Sequence, residues 1–71
     1  MEWDEIQANW SVLKGHLRER WGDLSEDDAV RIDGQREQLV GTLQRKYGTP
    51  REEAERQADV WAESARLHPP R

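Results

Sequence analysis

Large apolar residues recur along this chain at helical spacing, and polar residues fill most positions between them. At about 100° per residue, Trp3, Ile6, Trp10, Leu13, Leu17 and Trp21 fall on one stripe, which predicts a helix from Asp4 to Arg20. Ala29, Ile32, Leu39, Val40, Leu43 and Tyr47 form a second stripe and predict a helix from Glu26 to Lys46. Ala54, Ala58, Trp61 and Ala65 form a third, within a helix from Pro50 to Arg66. Two short breaks separate the blocks, Trp21-Gly22-Asp23-Leu24-Ser25 and Tyr47-Gly48-Thr49-Pro50. In each break a glycine follows an aromatic residue, where a helix C-terminus often calls for positive φ. A start signal comes next: Ser25 as N-cap before three acids, then Thr49-Pro50-Arg51-Glu52 with the form of a capping box. The pattern predicts an all-α fold, a small three-helix bundle with short loops. It predicts one domain over residues 1–67 and a frayed tail at 68–71, where the two prolines of His68-Pro69-Pro70-Arg71 cannot continue a helix.

The stripes also name a core: Ile6, Trp10, Leu13, Leu17, Trp21, Ile32, Leu39, Leu43, Tyr47 and Trp61. Four tryptophans in 71 residues are the most unusual feature of the composition. Their place on the stripes makes packing the primary reading, since aromatics supply much buried area in a small domain. Trp3, at the end of its stripe, is the tryptophan best placed to meet a partner. Val30, Gly34 and Gly41 line the face of the second predicted helix opposite its stripe. They are candidates for an interaction surface, because glycine permits close backbone approach.

Composition narrows the functional classes. A chain of this length buries only about 60 % of its unfolded surface, which leaves little margin for stability. There is no cysteine to form a disulfide or a thiolate metal site, and His16 and His68 lie far apart, so no metal or cofactor is expected. Charged residues make up 37 % of the chain and mean hydropathy is −1.16. No apolar run approaches the roughly 20 residues of a membrane span, and the acidic start Met1-Glu2-Trp3-Asp4-Glu5 lacks the features of a signal peptide, so a cytoplasmic protein is expected. A net charge of −4 disfavours general nucleic-acid binding. The acids of Glu26-Asp27-Asp28 and Glu52-Glu53-Ala54-Glu55 sit in first helical turns, where the helix dipole explains them without a metal. No nucleophile–base–acid set and no glycine-rich phosphate loop stands out, and the chain is too small to enclose an ordinary substrate pocket. No enzyme is expected.

An internal repeat is visible. Leu13-Lys14-Gly15-His16-Leu17-Arg18-Glu19-Arg20-Trp21-Gly22 matches Leu39-Val40-Gly41-Thr42-Leu43-Gln44-Arg45-Lys46-Tyr47-Gly48 in the pattern L-x-G-x-L-x-x-[RK]-[WY]-G. Two copies are too few for a solenoid; duplication and convergence of two similar helix ends both remain open.

Several segments together resemble the CsbD-like family of small bacterial proteins. They are Trp3-Asp4-Glu5-Ile6, Trp10 with Leu13-Lys14-Gly15, the run Glu19 to Asp28, the run Ile32 to Gly41, Gln44-Arg45-Lys46-Tyr47-Gly48, Glu52-Glu53-Ala54-Glu55 and Asp59-Val60-Trp61. The sequence departs from the family where Ala8 and Asn9 stand in place of its usual glycine and lysine, and lysines are scarcer. The resemblance implies a compact helical bundle and an association with the general stress response, and supplies no mechanism. The expected function is therefore that of a small stress-response protein acting by non-enzymatic interaction, with an unidentified protein partner or with itself. The alternatives are a hydrophilic protectant of the osmotic or desiccation type, and weak nucleic-acid binding through a local arginine patch near the first break.

Overall fold

The computed structural model describes residues 2–67. Five helices follow one another: α1 (Trp3–Ala8), α2 (Trp10–Arg20), α3 (Glu26–Ile32), α4 (Arg36–Tyr47) and α5 (Arg51–Leu67). The chain is all-helical, with no strand among the described residues. The three-helix expectation is corrected, because the first two predicted helices are each split. The predicted tail at 68–71 lies outside the described residues.

The first split is a kink at Asn9, whose backbone leaves the helical region at φ −108°, ψ 22°. Its side-chain amide donates to the Glu5 carbonyl at 2.8 Å, and its N–H donates to Glu5 and Ile6. The residue thus satisfies the end of α1 locally while its carbonyl accepts the first bond of α2, from Leu13 at 3.0 Å. The second split is sharper. Asp33 and Gly34 both take positive φ, 52° and 70°, and two such residues in succession end a right-handed helix. Asp33-Gly34 is a turn signal, masked in the sequence because Ile32 and Leu39 on either side keep helical phase.

Breaks between the predicted blocks fall where expected, by two different means. Gly48 ends α4 at φ 64°. Gly22 has no positive φ; Trp21 itself leaves the helix at φ −126°, ψ 89°. Helix α3 starts on a full capping box: the Ser25 hydroxyl accepts from the Asp28 N–H at 3.1 Å, and the Asp28 carboxylate accepts from the Ser25 N–H at 3.0 Å.

The splits let α1 and α3 fold back over the longer helices and close one apolar core. Ile6, Leu13, Leu17, Ile32, Leu39, Val40 and Leu43 are fully buried, and Trp10, Trp21 and Trp61 nearly so. Leu24, within the first break, and Ala62, beside Trp61, belong to this core as well. Tyr47 does not: it is 40 % exposed. It is the last residue of α4, and its hydroxyl accepts from the Asp23 N–H at 3.3 Å, so the ring lies along the surface and fastens the first break to the end of α4.

Candidate functional site

Helix α5 organises the most distinctive surface of the molecule. Its inward ridge is Ala54, Ala58, Trp61, Ala62 and Ala65. Four small residues bring the helix backbone close to its neighbours, and the indole of Trp61 projects from among them. Three other indoles receive it. Trp3, Trp10 and Trp21 have ring centroids 6.1, 6.1 and 6.2 Å from that of Trp61, and the Trp10 ring meets it edge-on at 81°. The polar end of Trp10 is satisfied inside the core, where its N–H donates to the Ala29 carbonyl at 2.7 Å. Trp21 directs its N–H toward Gln57 of α5 at 3.4 Å, and Arg20 lies 4.9 Å over its ring.

The outer edge of α5 is charged and faces the start of α4. Arg36 grips Asp59 through two nitrogens at 2.8 and 3.0 Å and lies 3.9 Å from Glu55. Arg51 reaches back to Glu37 at 2.8 Å and to Glu55 at 3.3 Å. The Arg36 guanidinium holds the Asp59 carboxyl below its ordinary range, with a lesser contribution from Trp3, and Arg51 does the same for Glu37. Elsewhere Glu26 joins Lys14 and Arg18 of α2 to the start of α3, each at 3.0 Å, and Lys46 of α4 meets Asp28 of α3 at 3.0 Å. Lys14 lowers the Glu26 carboxyl; the Ser25 N–H, then Lys46, lower that of Asp28. Most of these pairs therefore join one helix to another.

A shallow cleft of about 250 Å³ opens between α2 and α5, lined by His16, Glu19, Arg20, Trp61, Ser64 and Ala65. Histidine, carboxylate and hydroxyl side chains share its lining. No cluster of metal-binding side chains occurs among the described residues, and no described helix is long and apolar enough to cross a membrane.

Of the candidates for interaction, Val30, Gly34 and Gly41 are expected on one helix face, and Trp3 separately at the end of its stripe; the three do not present one open face. Trp3 is half-buried against Trp61. Gly34 is buried in the turn between α3 and α4: a Cβ built there lies 2.6 Å from the Gln7 Cα, so the glycine admits the backbone of α1. Gly41 is half-buried within α4, and only Val30, 57 % exposed, stands open to solvent. The common face required an unbroken helix, and the turn at Asp33-Gly34 removes it. The expected arginine patch near the first break is also largely used internally, since Arg18 pairs with Glu26 and Arg20 stacks on Trp21. The cluster of Arg36, Glu37, Arg51 and Asp59 is not foreshadowed in the sequence. Its charges lie on two helices with no spacing in common, so periodicity carries no sign of it.

Comparison with known proteins identifies relatives of the sequence. The model of the family described as CsbD-like matches residues 4–56. The UPF0337 protein NE2439 of Nitrosomonas europaea is 52 % identical over 62 residues, covering 87 % of this chain and 66 % of that one. The UPF0337 protein YjbJ of Escherichia coli O6:H1 is 44 % identical over 61 residues, 86 % of this chain and 88 % of the relative. The UPF0337 protein ECA0631 of Pectobacterium atrosepticum is 40 % identical over 68 residues, 96 % of this chain and 99 % of the relative. No solved structure matches. On the family match and on relatives aligned over most of its length, this chain belongs to the CsbD-like family.

Proposed function

We propose that this chain is a small cytoplasmic stress-response protein that acts by non-covalent binding, without catalysis. The stress association comes from the family. The mode of action rests on one observation above others: tryptophan, leucine and isoleucine side chains from all five helices pack into one buried core, which supports a defined polar exterior. A defined surface recognises partners by shape and charge. A hydrophilic protectant acts through composition and has no need of a core in which four indoles interlock. Nucleic-acid binding is the weaker alternative, because Arg18, Arg36, Arg51 and Arg56 are already engaged by carboxylates.

The two leading readings separate in a bacterial strain deleted for its CsbD-like gene and challenged by osmotic shock. Binding requires that a folded protein with altered surface charges, such as Arg31→Glu with Arg45→Glu, lose complementation while its circular dichroism stays unchanged. Full complementation by a set of such variants covering the exterior overturns the binding reading.

A further inference from the structure

We propose that α5 is exchangeable between copies of this chain, each copy inserting its α5 into the tryptophan groove of the other to form a reciprocal dimer. The inference deepens the binding reading and rests on it: the partner is a second copy.

The groove is specific for this helix. Trp3, Trp10 and Trp21 leave room for one indole flanked by small residues, which the Ala54, Ala58, Trp61, Ala62, Ala65 ridge supplies. Arg36 and Glu37 at the start of α4 fix its direction by matching Asp59 and Arg51. A helix presenting that ridge with that charge pattern is α5 itself, so the occupant best matched from outside is the α5 of another copy.

The connection permits release. Residues 48–50 alone join α4 to α5. Gly48 carries the turn at φ 64° with nothing packed within 4 Å of the position a Cβ would take, and glycine crosses between positive and negative φ at little cost. At Gly48 itself no neighbouring atom blocks the rotation, and the contacts that flank it, Tyr47 with Asp23 and Lys46 with Asp28, belong to α4 and can stay in place. Pro50 keeps α4 and α5 from merging into one continuous helix, so the released helix remains free to dock. Release alone would bare four indoles, three in the groove and Trp61 on α5, which favours re-docking over an open monomer. Docking on a second copy rebuilds the same groove–helix packing and the same ion pairs, and exchange of an identical element is a low-cost route to dimers.

Complementation between two broken chains tests this. Trp61→Ala removes the indole of α5 and leaves the groove intact; Trp10→Ala damages the groove and leaves α5 intact. Each variant alone is expected to lose its cooperative thermal melt. Refolded together in equal amounts, they can form one complete groove–helix pair only by exchange. The expected result is a recovered cooperative melt, blue-shifted tryptophan emission and a two-chain mass by light scattering. A mixture that behaves as the sum of its separate components overturns the proposal. If the single variants stay folded, Arg36→Asp and Asp59→Arg decide instead. Each repels its own partner, so mixing at low salt should yield heterodimers, and a wholly monomeric mixture overturns exchange. Such a failure removes only self-exchange; the broader binding reading falls separately, if the surface-charge variants all complement.

Discussion

Ile6, Leu13 and Leu17 of the α1–α2 pair and Ile32, Leu39 and Leu43 of the α3–α4 pair stand 26 residues apart, and all six are fully buried. The same offset relates the residues before α2 and α4, Asn9 and Gln35, and the aromatic residues Trp21, just past the end of α2, and Tyr47, the last of α4. At one point the equivalents meet, where the Gln7 amide reaches the Asp33 carboxylate at 3.5 Å. The two pairs are thus built on one plan, in which apolar residues of equal depth set the fold. They differ where they face α5. Trp3, Trp10 and Trp21 of the first pair correspond to Ala29, Arg36 and Tyr47 of the second. The first pair meets α5 with indoles; the second lays α4 closest along it, with Leu39, Val40 and Leu43 in the shared core, and adds Arg36 and the charges around it.

That difference ranks the equivalent positions. Trp10→Ala removes a buried ring together with its hydrogen bond to Ala29 and is expected to cost about 3–5 kcal/mol. Arg36→Ala, at the matching position, removes largely exposed ion pairs and should cost about 1 kcal/mol or less. Urea melts show the gap: Arg36→Ala should keep a cooperative transition close to that of the parent chain, and Trp10→Ala should lose it or move it to far lower urea. Equal losses would mean that the charged side of α5 matters as much as the aromatic side, and the indoles would no longer be its main anchor.

The turn positions form the next contrast. Gly34→Ala places a Cβ against the Gln7 backbone at a positive φ and should cost about 2–3 kcal/mol. The matching residue, Ala8, lies exposed at the end of α1, and Ala8→Gly should cost about 0.5–1 kcal/mol at most. If Gly34→Ala is mild, α1 does not depend on the close approach.

These two positions also show what the sequence could reveal. Helical phase runs unbroken through Ile6, Trp10 and Leu13, and again through Ile32 and Leu39, so most of the core was legible from phase alone. Phase does not report a kink that preserves it. The helix boundaries at Asn9 and Asp33-Gly34 depend on backbone dihedrals, which phase cannot register. Tyr47 shared the stripe yet lies outside the core, because the helix ends on it and its ring follows the surface toward Asp23. Leu24 shared no stripe and is buried, because the first break turns inward. The surface at α5 was half legible: the four indoles pointed to a cluster, while the pairing of Arg36 with Asp59 arises only when α4 and α5 come together.

Acid provides a test of the charged side as a whole. Asp59, Glu37, Glu26 and Asp28 all have carboxyls held below their ordinary values by cations or by a cap N–H. A lowered folded value means that the unfolded chain takes up protons first. The stabilisation is therefore complete above the ordinary carboxylate values, 4.5 for glutamate and 3.8 for aspartate, and is lost as pH falls through the lower folded values. Melting temperature should stay level from neutral pH to about 5 and fall below that. In Arg36→Ala the fall should be shallower, since Asp59 then titrates nearer its ordinary value. An identical slope in the variant would show that Asp59 does not couple to folding through Arg36.

The smallest contrast concerns the glycines that the two pairs share at one position, Gly15 in α2 and Gly41 in α4. Each sits inside a helix, where glycine costs stability through the freedom it gives the unfolded chain. Nothing lies within 4 Å of the Cβ position at Gly15, so Gly15→Ala should stabilise by about 0.5–1 kcal/mol. At Gly41 the Arg45 guanidinium stands 3.4 Å away, and the end of a flexible side chain can shift aside. Gly41→Ala should also stabilise, by less, because Arg45, which donates to the Thr42 hydroxyl at 3.3 Å, has to accommodate the new methyl group. Thermal melts of the two single variants and the double variant decide it. Gains that add in the double variant mean that the two helices carry the glycines independently. A loss at Gly15 would mean that its open face is covered in solution, and since no part of the described chain covers it, the next measurement would be the mass of the protein at the concentration of the melt.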